Sequence, residues 1–174
     1  MAALAPDEKK TLVMLYTHTT LVRGEVVTKD NVRVSTWLRT EAAPRYIPVL
    51  KPQVLSFGGA QVRSMNYEVI YVPATSILAF HLVPPLQDPL DYDENEKNRA
   101  VETASVSVGY FIFKGRINYY AQQGFGPTLD LTRAIWMSMY ETDITNPDLA
   151  QMPTLHVPML LINPAQVSFA VGPA

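Results

Sequence analysis

The chain has 174 residues, of which 48% are hydrophobic and 17% are charged. This composition is sufficient for a hydrophobic core and excludes global disorder. The absence of cysteine excludes disulfide bonds and thiolate metal sites, and a net charge of −2 does not by itself indicate a nucleic-acid or membrane partner.

The charge is unevenly distributed along the chain. Residues 1–86 carry nine basic and six acidic side chains, residues 87–102 two and six, and residues 103–174 three and four. Near the N-terminus, Asp7 and Glu8 stand where a secretory signal would be basic. No apolar run approaches the roughly 18 residues of a membrane helix. We therefore predict a soluble, cytoplasmic protein with no membrane partner.

The first half of the chain consists of short apolar runs separated by Pro, Gly and Asn. The runs are rich in Val, Ile, Leu and Tyr, and many of them alternate apolar and polar residues, which is typical of strands. Strands are predicted at residues 11–16, 21–27, 32–38, 46–50, 67–72 and 77–82. Residues 56–66, which contain Gly58 and Gly59, are predicted to form a loop.

A Pro-rich and acidic segment separates the two halves. It begins after Pro84 and carries five carboxylates between Asp88 and Glu96. Such a composition is typical of a solvated linker. We predict a first unit at 11–84, an acidic linker at 85–102 and a second unit at 103–172.

In the second unit the strand pattern starts again. Residues 105–120 predict a long strand or a tight hairpin, and further strands are predicted at 129–131, 135–139, 157–162 and 167–171. Residues 122–127 predict a turn, and residues 141–154 predict a loop.

The two halves contain similar sequence patterns. Residues 21–26 and 112–117 both read apolar, apolar, basic, Gly, charged, apolar, and residues 70–74 resemble residues 161–165. The separation from the Gly of the first pattern to the Pro of the second is 49 residues in both halves (73 − 24 and 164 − 115). A Gly within a strand marks a bulge or a bend. We interpret the pattern as an internal duplication, with chance similarity between apolar strands as the alternative.

A unit of five short strands with a Gly bend in the second resembles the Sm-like family, first at 11–84 and then, more divergently, at 103–172. The resemblance implies an all-β protein of two tandem small SH3-like barrels, and pairing of edge strands between subunits. Motifs of the family's RNA binders are replaced, because residues 34–37 read Val-Ser-Thr-Trp and Pro-Ala occupies 73–74 and 164–165 in place of Arg-Gly.

Two sets of side chains are candidates for binding. Basic residues interleaved with aromatics can bind single-stranded nucleic acid, and the candidates are Arg33, Arg39, Arg45 and Arg63. Aromatic residues in excess of what a small core can hold are typical of a protein interface, and the candidates for self-association are Tyr119, Tyr120, Phe125 and Tyr140. The alternative for the second set is burial between the two halves.

No catalytic or cofactor motif is present in the sequence. His18, His81 and His156 lack metal-ligand spacing and are interpreted as ordinary strand or loop residues. The glycine pairs lack the residues of a phosphate-binding loop. We predict a non-enzymatic assembly protein without cofactor, metal or evident small-molecule substrate, which forms a homo-oligomer as a ring or filament. The alternative is an RNA- or single-stranded-nucleic-acid-binding protein.

Overall fold

The structure is a computed structural model that describes residues 4–40, 42–59, 61–93, 96–131, 134–149 and 151–172. Within these ranges, none of the helices has the length and apolar character needed to cross a membrane.

Most of the described chain is β-strand. The strands are β1 (Glu8–Tyr16), β2 (Thr20–Lys29), β3 (Tyr46–Ser56), β4 (Arg63–Asn66), β5 (Val69–Pro73), β6 (Ala79–Leu82), β7 (Arg99–Val108), β8 (Phe111–Tyr120), β9 (Met137–Thr145), β10 (Leu155–Ile162) and β11 (Ser168–Val171). Two short helices, α1 (Val34–Leu38) and α2 (Phe125–Leu131), follow β2 and β8. Single 3-10 turns at Ala74–Ser76 and Pro164–Gln166 precede β6 and β11.

The strands form one 11-stranded sheet in the order β11-β7-β8-β9-β10-β6-β1-β2-β3-β4, and β5 also pairs with β3. All pairings are antiparallel. The prediction of an all-β protein is therefore confirmed. In the described part of the chain the sheet is open, with β11 at one end and β4 with β5 at the other.

Both halves have the same order of elements. In the first half, β1, β2 and β3 pair in succession, β5 pairs with β3, and β6 returns to pair with β1. In the second half, β7, β8, β9 and β10 pair in succession, and β11 returns to pair with β7. A short helix follows the second strand of each half, and a 3-10 turn precedes the last.

A β-bulge lies at the same place in both halves. The β2–β3 register shifts across Gly24 and the β8–β9 register shifts across Gly115. Opposite each glycine, the partner strand has one residue with positive φ, which is Lys51 (46°) in β3 and Glu141 (47°) in β9. The extra residue of each bulge lies on β3 or β9, so the kink is on the partner strand and each glycine faces it. The two glycines therefore mark the bends that the sequence predicts, but from the strand opposite.

The register also corrects one detail of the predicted repeat. Leu50 and Tyr140 stand beside the two bulges, and they pair with Val69 and Met159 respectively. Counting onward from these pairs, Pro73 corresponds to Asn163, not to Pro164. The two prolines therefore differ by one position although their spacing from the glycines is equal.

The two halves share their cores. Tyr16, Leu21 and Phe57 of the first half are buried among residues of the second, such as Phe111 and Phe113. Trp136 and Leu161 of the second half are buried in the core of the first, where the Trp136 indole N–H donates to the Leu38 carbonyl at 3.0 Å. Burial of apolar surface is the main favourable term in folding, so each half obtains part of its stability from the other.

Two predicted strands are wrong. Residues 32–38 contain α1, in which Val34 and Leu38 are four residues apart and buried on one side. Residues 129–131 belong to α2. A few β-branched or apolar residues express only a weak preference for strand, and packing of one helical face overrides it.

Four predicted loop or linker boundaries also differ from the structure. The predicted loop at 56–66 contains β4, and the predicted turn at 122–127 contains the start of α2. The predicted linker at 85–102 contains the start of β7, which begins at Arg99. The predicted loop at 141–154 contains the end of β9, which reaches Thr145. The β9 segment alternates in burial, with Thr142 and Ile144 buried while Glu141 and Asp143 are exposed. This pattern is typical of a strand with one solvated face.

Candidate assembly interface

The halves are joined by pairing of two strands that would otherwise be edges. β10 of the second half pairs with β6 of the first, with Leu161 opposite Phe80 and Ile162 opposite Ala79. The Asn163 N–H extends the ladder by donating to the Leu78 carbonyl at 2.8 Å. All these residues are buried. The junction is therefore a dry backbone ladder covered by apolar side chains.

Each of the two junction strands has a counterpart in the opposite half, and both counterparts lie at the open edges of the sheet. β4 and β5 together correspond to β10, and β11 corresponds to β6. By register, Tyr71 of β5 corresponds to Leu161, and Phe169 of β11 corresponds to Phe80. Leu161 is 1% exposed in its junction, whereas Tyr71 is 65% exposed at the open edge.

A cleft runs beside the β5 edge. It has a volume of about 280 Å³ and is lined by Val22, Ile70–Pro73, Ser76 and the β1–β2 turn at 17–20. Unpaired backbone groups on an edge strand readily accept another strand. The β5 edge is therefore bordered by open space and by exposed apolar surface.

Two of the predicted self-association residues, Tyr119 and Phe125, lead towards the opposite edge. Tyr119 packs edge-on against Phe125, and Phe125 packs in the same way against Phe169 of β11, each at a ring-centroid distance of 5.8 Å. Tyr120 is 56% exposed and has the Arg99 guanidinium 5.9 Å from its ring centroid. Tyr119 and Phe125 therefore form an aromatic row that reaches β11, whereas Tyr120 lies on the surface at the start of β7.

The fourth, Tyr140, is not a surface residue. Its side chain is 5% exposed, and its hydroxyl donates to Asp91 Oδ1 at 2.6 Å. Burial and the neighbouring carboxylate raise the pKa of the Tyr140 hydroxyl. Met139 lies in the core, so alternation places Tyr140 on the other face of the sheet, where Tyr92 packs edge-on against its ring at a centroid distance of 4.7 Å. The acidic segment therefore covers Tyr140 and removes it from the predicted self-association surface.

Asp91 connects three parts of the chain. Its Oδ2 accepts hydrogen bonds from Arg39 Nη1 at 2.6 Å and from Ser138 Oγ at 2.7 Å, and Arg39 also donates to Ser138. Burial disfavours the charged carboxylate, but the hydrogen bonds from Tyr140, Ser138 and Arg39 outweigh it and lower the pKa of Asp91. The acidic segment is therefore tied to α1 of the first half and to β9 of the second.

Substitution Asp91→Asn is expected to lower the free energy of unfolding by about 1–3 kcal/mol, because Arg39 loses its ion pair and the amide accepts fewer hydrogen bonds. Urea unfolding measures the effect. Asp88→Asn removes the same charge from the same segment, and Asp88 forms no hydrogen bond or ion pair with the described residues. Its free energy of unfolding should stay within about 0.5 kcal/mol of the wild type. Equal losses for the two variants would show that only net charge matters.

The four predicted nucleic-acid-binding arginines do not form one patch. Arg33 and Arg39 flank α1, and Arg39 is engaged by Asp91. Arg45 precedes β3, and Arg63 at the start of β4 pairs with Ser56 at the end of β3. Ten steps of strand separate the two ends of β3, which is about 30 Å at the usual rise per residue. Binding of RNA through these arginines stays a prediction.

The histidines lie in three different settings. His18 is in the β1–β2 turn, and His81 is buried in β6. On the sheet surface, His156 Nδ1 donates to Asp143 Oδ1 at 2.9 Å and Nε2 lies 3.3 Å from Glu141 Oε2. The Asp143 hydrogen bond together with the Glu141 charge raises the pKa of His156. The sequence alone does not reveal this site, because Glu141 and Asp143 come close to the imidazole only when β9 pairs with β10. Among the residues described, no cluster of His, Asp and Glu suits a metal ion.

Sequence analysis did not find three residues that define the interface and the tie between the halves. Tyr71 and Phe169 become notable only when the register shows that they correspond to a buried junction pair. Asp91 lies in a segment whose composition is typical of a solvated linker. Comparisons with protein-family models, with curated proteins and with solved structures gave no match for this chain.

Proposed function

We propose that this protein is a non-enzymatic assembly module whose copies associate through their edge strands. The observation that carries the proposal is the β6–β10 ladder, because it is an association of two similar units, β1–β6 and β7–β11, that already exists within one chain. We further propose that the units are two divergent copies of one small SH3-like, Sm-like barrel. The shared element order and the matching bulges support this duplication.

The internal junction predicts the register between copies. If β5 of one copy adds to β11 of the next as β10 adds to β6, Tyr71 stands opposite Phe169 and Val72 opposite Ser168. Tyr71 would then cover Phe169 as Leu161 covers Phe80. The burial of a Tyr side chain against an aromatic neighbour is a typical centre of a protein interface.

This contact joins two different surfaces, so it is heterologous. Such contacts generate a ring when the rotation between copies closes, and a filament when it does not. One difference from the internal junction limits its strength. Pro73 occupies the position of Asn163 and has no N–H to donate, so the ladder between copies is one hydrogen bond shorter than the ladder within the chain.

Substitution Tyr71→Lys tests the assembly. Tyr71 is exposed, so the variant should fold normally, whereas a charge on the edge strand blocks strand addition. We expect sedimentation velocity to show oligomers for the wild type and monomers for Tyr71→Lys. Tyr67→Lys is the matched control, since Tyr67 is also exposed but lies between β4 and β5. A wild-type monomer at high concentration would overturn the proposal.

Cysteine cross-linking tests the register, and the absence of native cysteine makes the result simple to interpret. A mixture of the Tyr71→Cys and Phe169→Cys proteins should give a disulfide-linked dimer under mild oxidation, while either protein alone should not. Val171→Cys replaces Phe169→Cys in the control, because residue 171 lies on the same face two positions further along β11. Equal cross-linking of both mixtures would contradict the proposed register.

A further inference from the structure

A large cleft lies where the two halves meet, among residues that the structure describes. It has a volume of about 1090 Å³ and is bounded by the connections that carry α1 and α2 and by both 3-10 turns. Most of its lining is apolar, and the side chains that define it are Leu38, Tyr46, Leu129, Ile135, Trp136 and Val167. Binding sites for small molecules are typically concave and apolar with a few placed polar groups.

The polar side chains of this junction cleft are mostly satisfied by the chain itself. Thr40 and Gln166 donate to backbone carbonyls, and Asn163 accepts from a backbone N–H. The exception is Arg45, whose guanidinium is exposed and forms no ion pair with any carboxylate in the described ranges. It is also the one charged side chain that the structure places in the lining.

We propose that the junction cleft binds a free medium-chain carboxylate amphiphile, with the hydrocarbon chain on the apolar walls and the carboxylate on Arg45. The apolar walls favour a hydrocarbon because its transfer from water is favourable. A guanidinium matches a carboxylate through two parallel hydrogen bonds, whereas a cationic head group would be repelled. Pro73 of β5 and Phe169 of β11 also line the cleft, so the site adjoins both edges of the proposed assembly. Binding of the amphiphile itself does not require assembly, because every lining residue belongs to one chain.

Residues of both halves line the cleft, so a ligand bound there should stabilise the folded chain. Trp136 in its wall holds the Leu38 carbonyl, and Tyr46 and Val167 contribute from opposite halves. A ligand that binds only the folded chain stabilises it by mass action. We therefore expect decanoate to raise the thermal unfolding midpoint as well as to bind.

Isothermal titration with decanoate, below its micelle concentration, tests the site. We expect saturable binding to the wild-type protein, and binding of decyltrimethylammonium that is weaker by about tenfold or more, since a like charge replaces an ion pair. Arg45→Gln should weaken decanoate binding about tenfold through loss of the charge-assisted hydrogen bonds. Arg63→Gln removes an exposed arginine outside the cleft and should leave binding unchanged.

Filling the cleft provides a second test. Ala165 is exposed and lines the cleft, so Ala165→Trp should abolish decanoate binding while circular dichroism and the unfolding midpoint of the unliganded protein stay close to wild type. Absence of saturable decanoate binding to the wild type would overturn the proposal. Equal affinity of decanoate for the wild type, Arg45→Gln and Ala165→Trp would also overturn it, because the amphiphile would then bind elsewhere.

Discussion

Substitution Gly115→Ala is expected to lower the free energy of unfolding by about 2–3 kcal/mol, the usual range for forcing extra volume into a packed site. A Cβ at this position would lie 2.5 Å from Thr142 Oγ1 and 2.7 Å from the Tyr140 carbonyl oxygen. Both atoms belong to β9, which is held between β8 and β10, so relief requires movement of a central strand. Urea unfolding followed by circular dichroism measures the loss.

Gly126→Ala is the matched control. Apart from its chain neighbours and the backbone of α2 itself, no described heavy atom lies within 4 Å of a Cβ built at Gly126. Alanine is favoured over glycine in a helix by about 1 kcal/mol. Pro127 follows directly and disfavours the helical conformation of a preceding residue that has a Cβ, so the two effects oppose each other and the variant should stay close to the wild type in stability. If Gly115→Ala and Gly126→Ala unfold at the same urea concentration, close packing at the bulge does not limit stability.

Gly24→Ala extends the experiment to the first half. A Cβ there would lie 2.5 Å from Val49 Cγ1 and 2.9 Å from the Leu50 carbonyl oxygen. Because the two halves share their cores, we expect the variant at either glycine to unfold as a whole chain in one transition. Separate transitions for the two halves in either variant would contradict the shared core.

The second large effect is loss of stability in acid through His81. Its Nδ1 lies 2.7 Å from the Leu82 carbonyl oxygen, so this nitrogen carries the proton, and Nε2 accepts from the Tyr16 hydroxyl at 3.0 Å. Burial lowers the pKa of His81 to about 4 against an ordinary value of 6.5. The difference corresponds to about 3 kcal/mol of folding stability.

The sign of the change in stability depends on whether the folded or the unfolded chain binds the proton at the higher pH. Above pH 6.5 both states hold neutral His81 and the contribution is absent. As pH falls from 6.5 towards 4, the unfolded chain binds the proton while the folded chain does not, so stability decreases. His156 acts in the opposite sense because its pKa is raised, but its exposed side chain makes that effect small.

The double variant His81→Leu with Tyr16→Phe removes both hydrogen-bonding partners. Replacing both members of a buried pair with apolar groups avoids leaving one unsatisfied. Urea unfolding between pH 7 and pH 4 should show a much shallower decline than in the wild type. His156→Gln serves as the control and should retain the wild-type slope. A wild-type decline that persists unchanged in the double variant would assign the acid sensitivity to other groups.

How much could be predicted is clearest from β7 and α1. Alternation at Ala104, Val106 and Val108 identified a half-buried strand without reference to anything else in the chain. The run at 32–38 has a strand-like composition, yet Val34 and Leu38 pack as one face of a helix. The strand β7 could be predicted because its side chains alternate over neighbouring residues. The helix α1 could not, because its formation depends on which surface the neighbouring strands leave uncovered.

The candidate interface shows the same division. Excess aromatic residues in the second half indicated an associating surface, and Tyr119 and Phe125 do lead to the β11 edge. Tyr140 has the same composition signal and is buried against Asp91. Residue type indicates how much apolar surface a chain carries, and only the pairing of strands decides which part of it is covered.

By itself, the sequence determined the all-β character, the short strands and the two glycine bends, because side-chain alternation and the steric freedom of glycine act over a few residues. The tertiary structure decided that the halves share one sheet and two cores, that Asp91 ties them together, and that Tyr71 and Phe169 lie at open edges. These features depend on contacts between residues far apart in the chain, whose register is set by packing over the whole sheet.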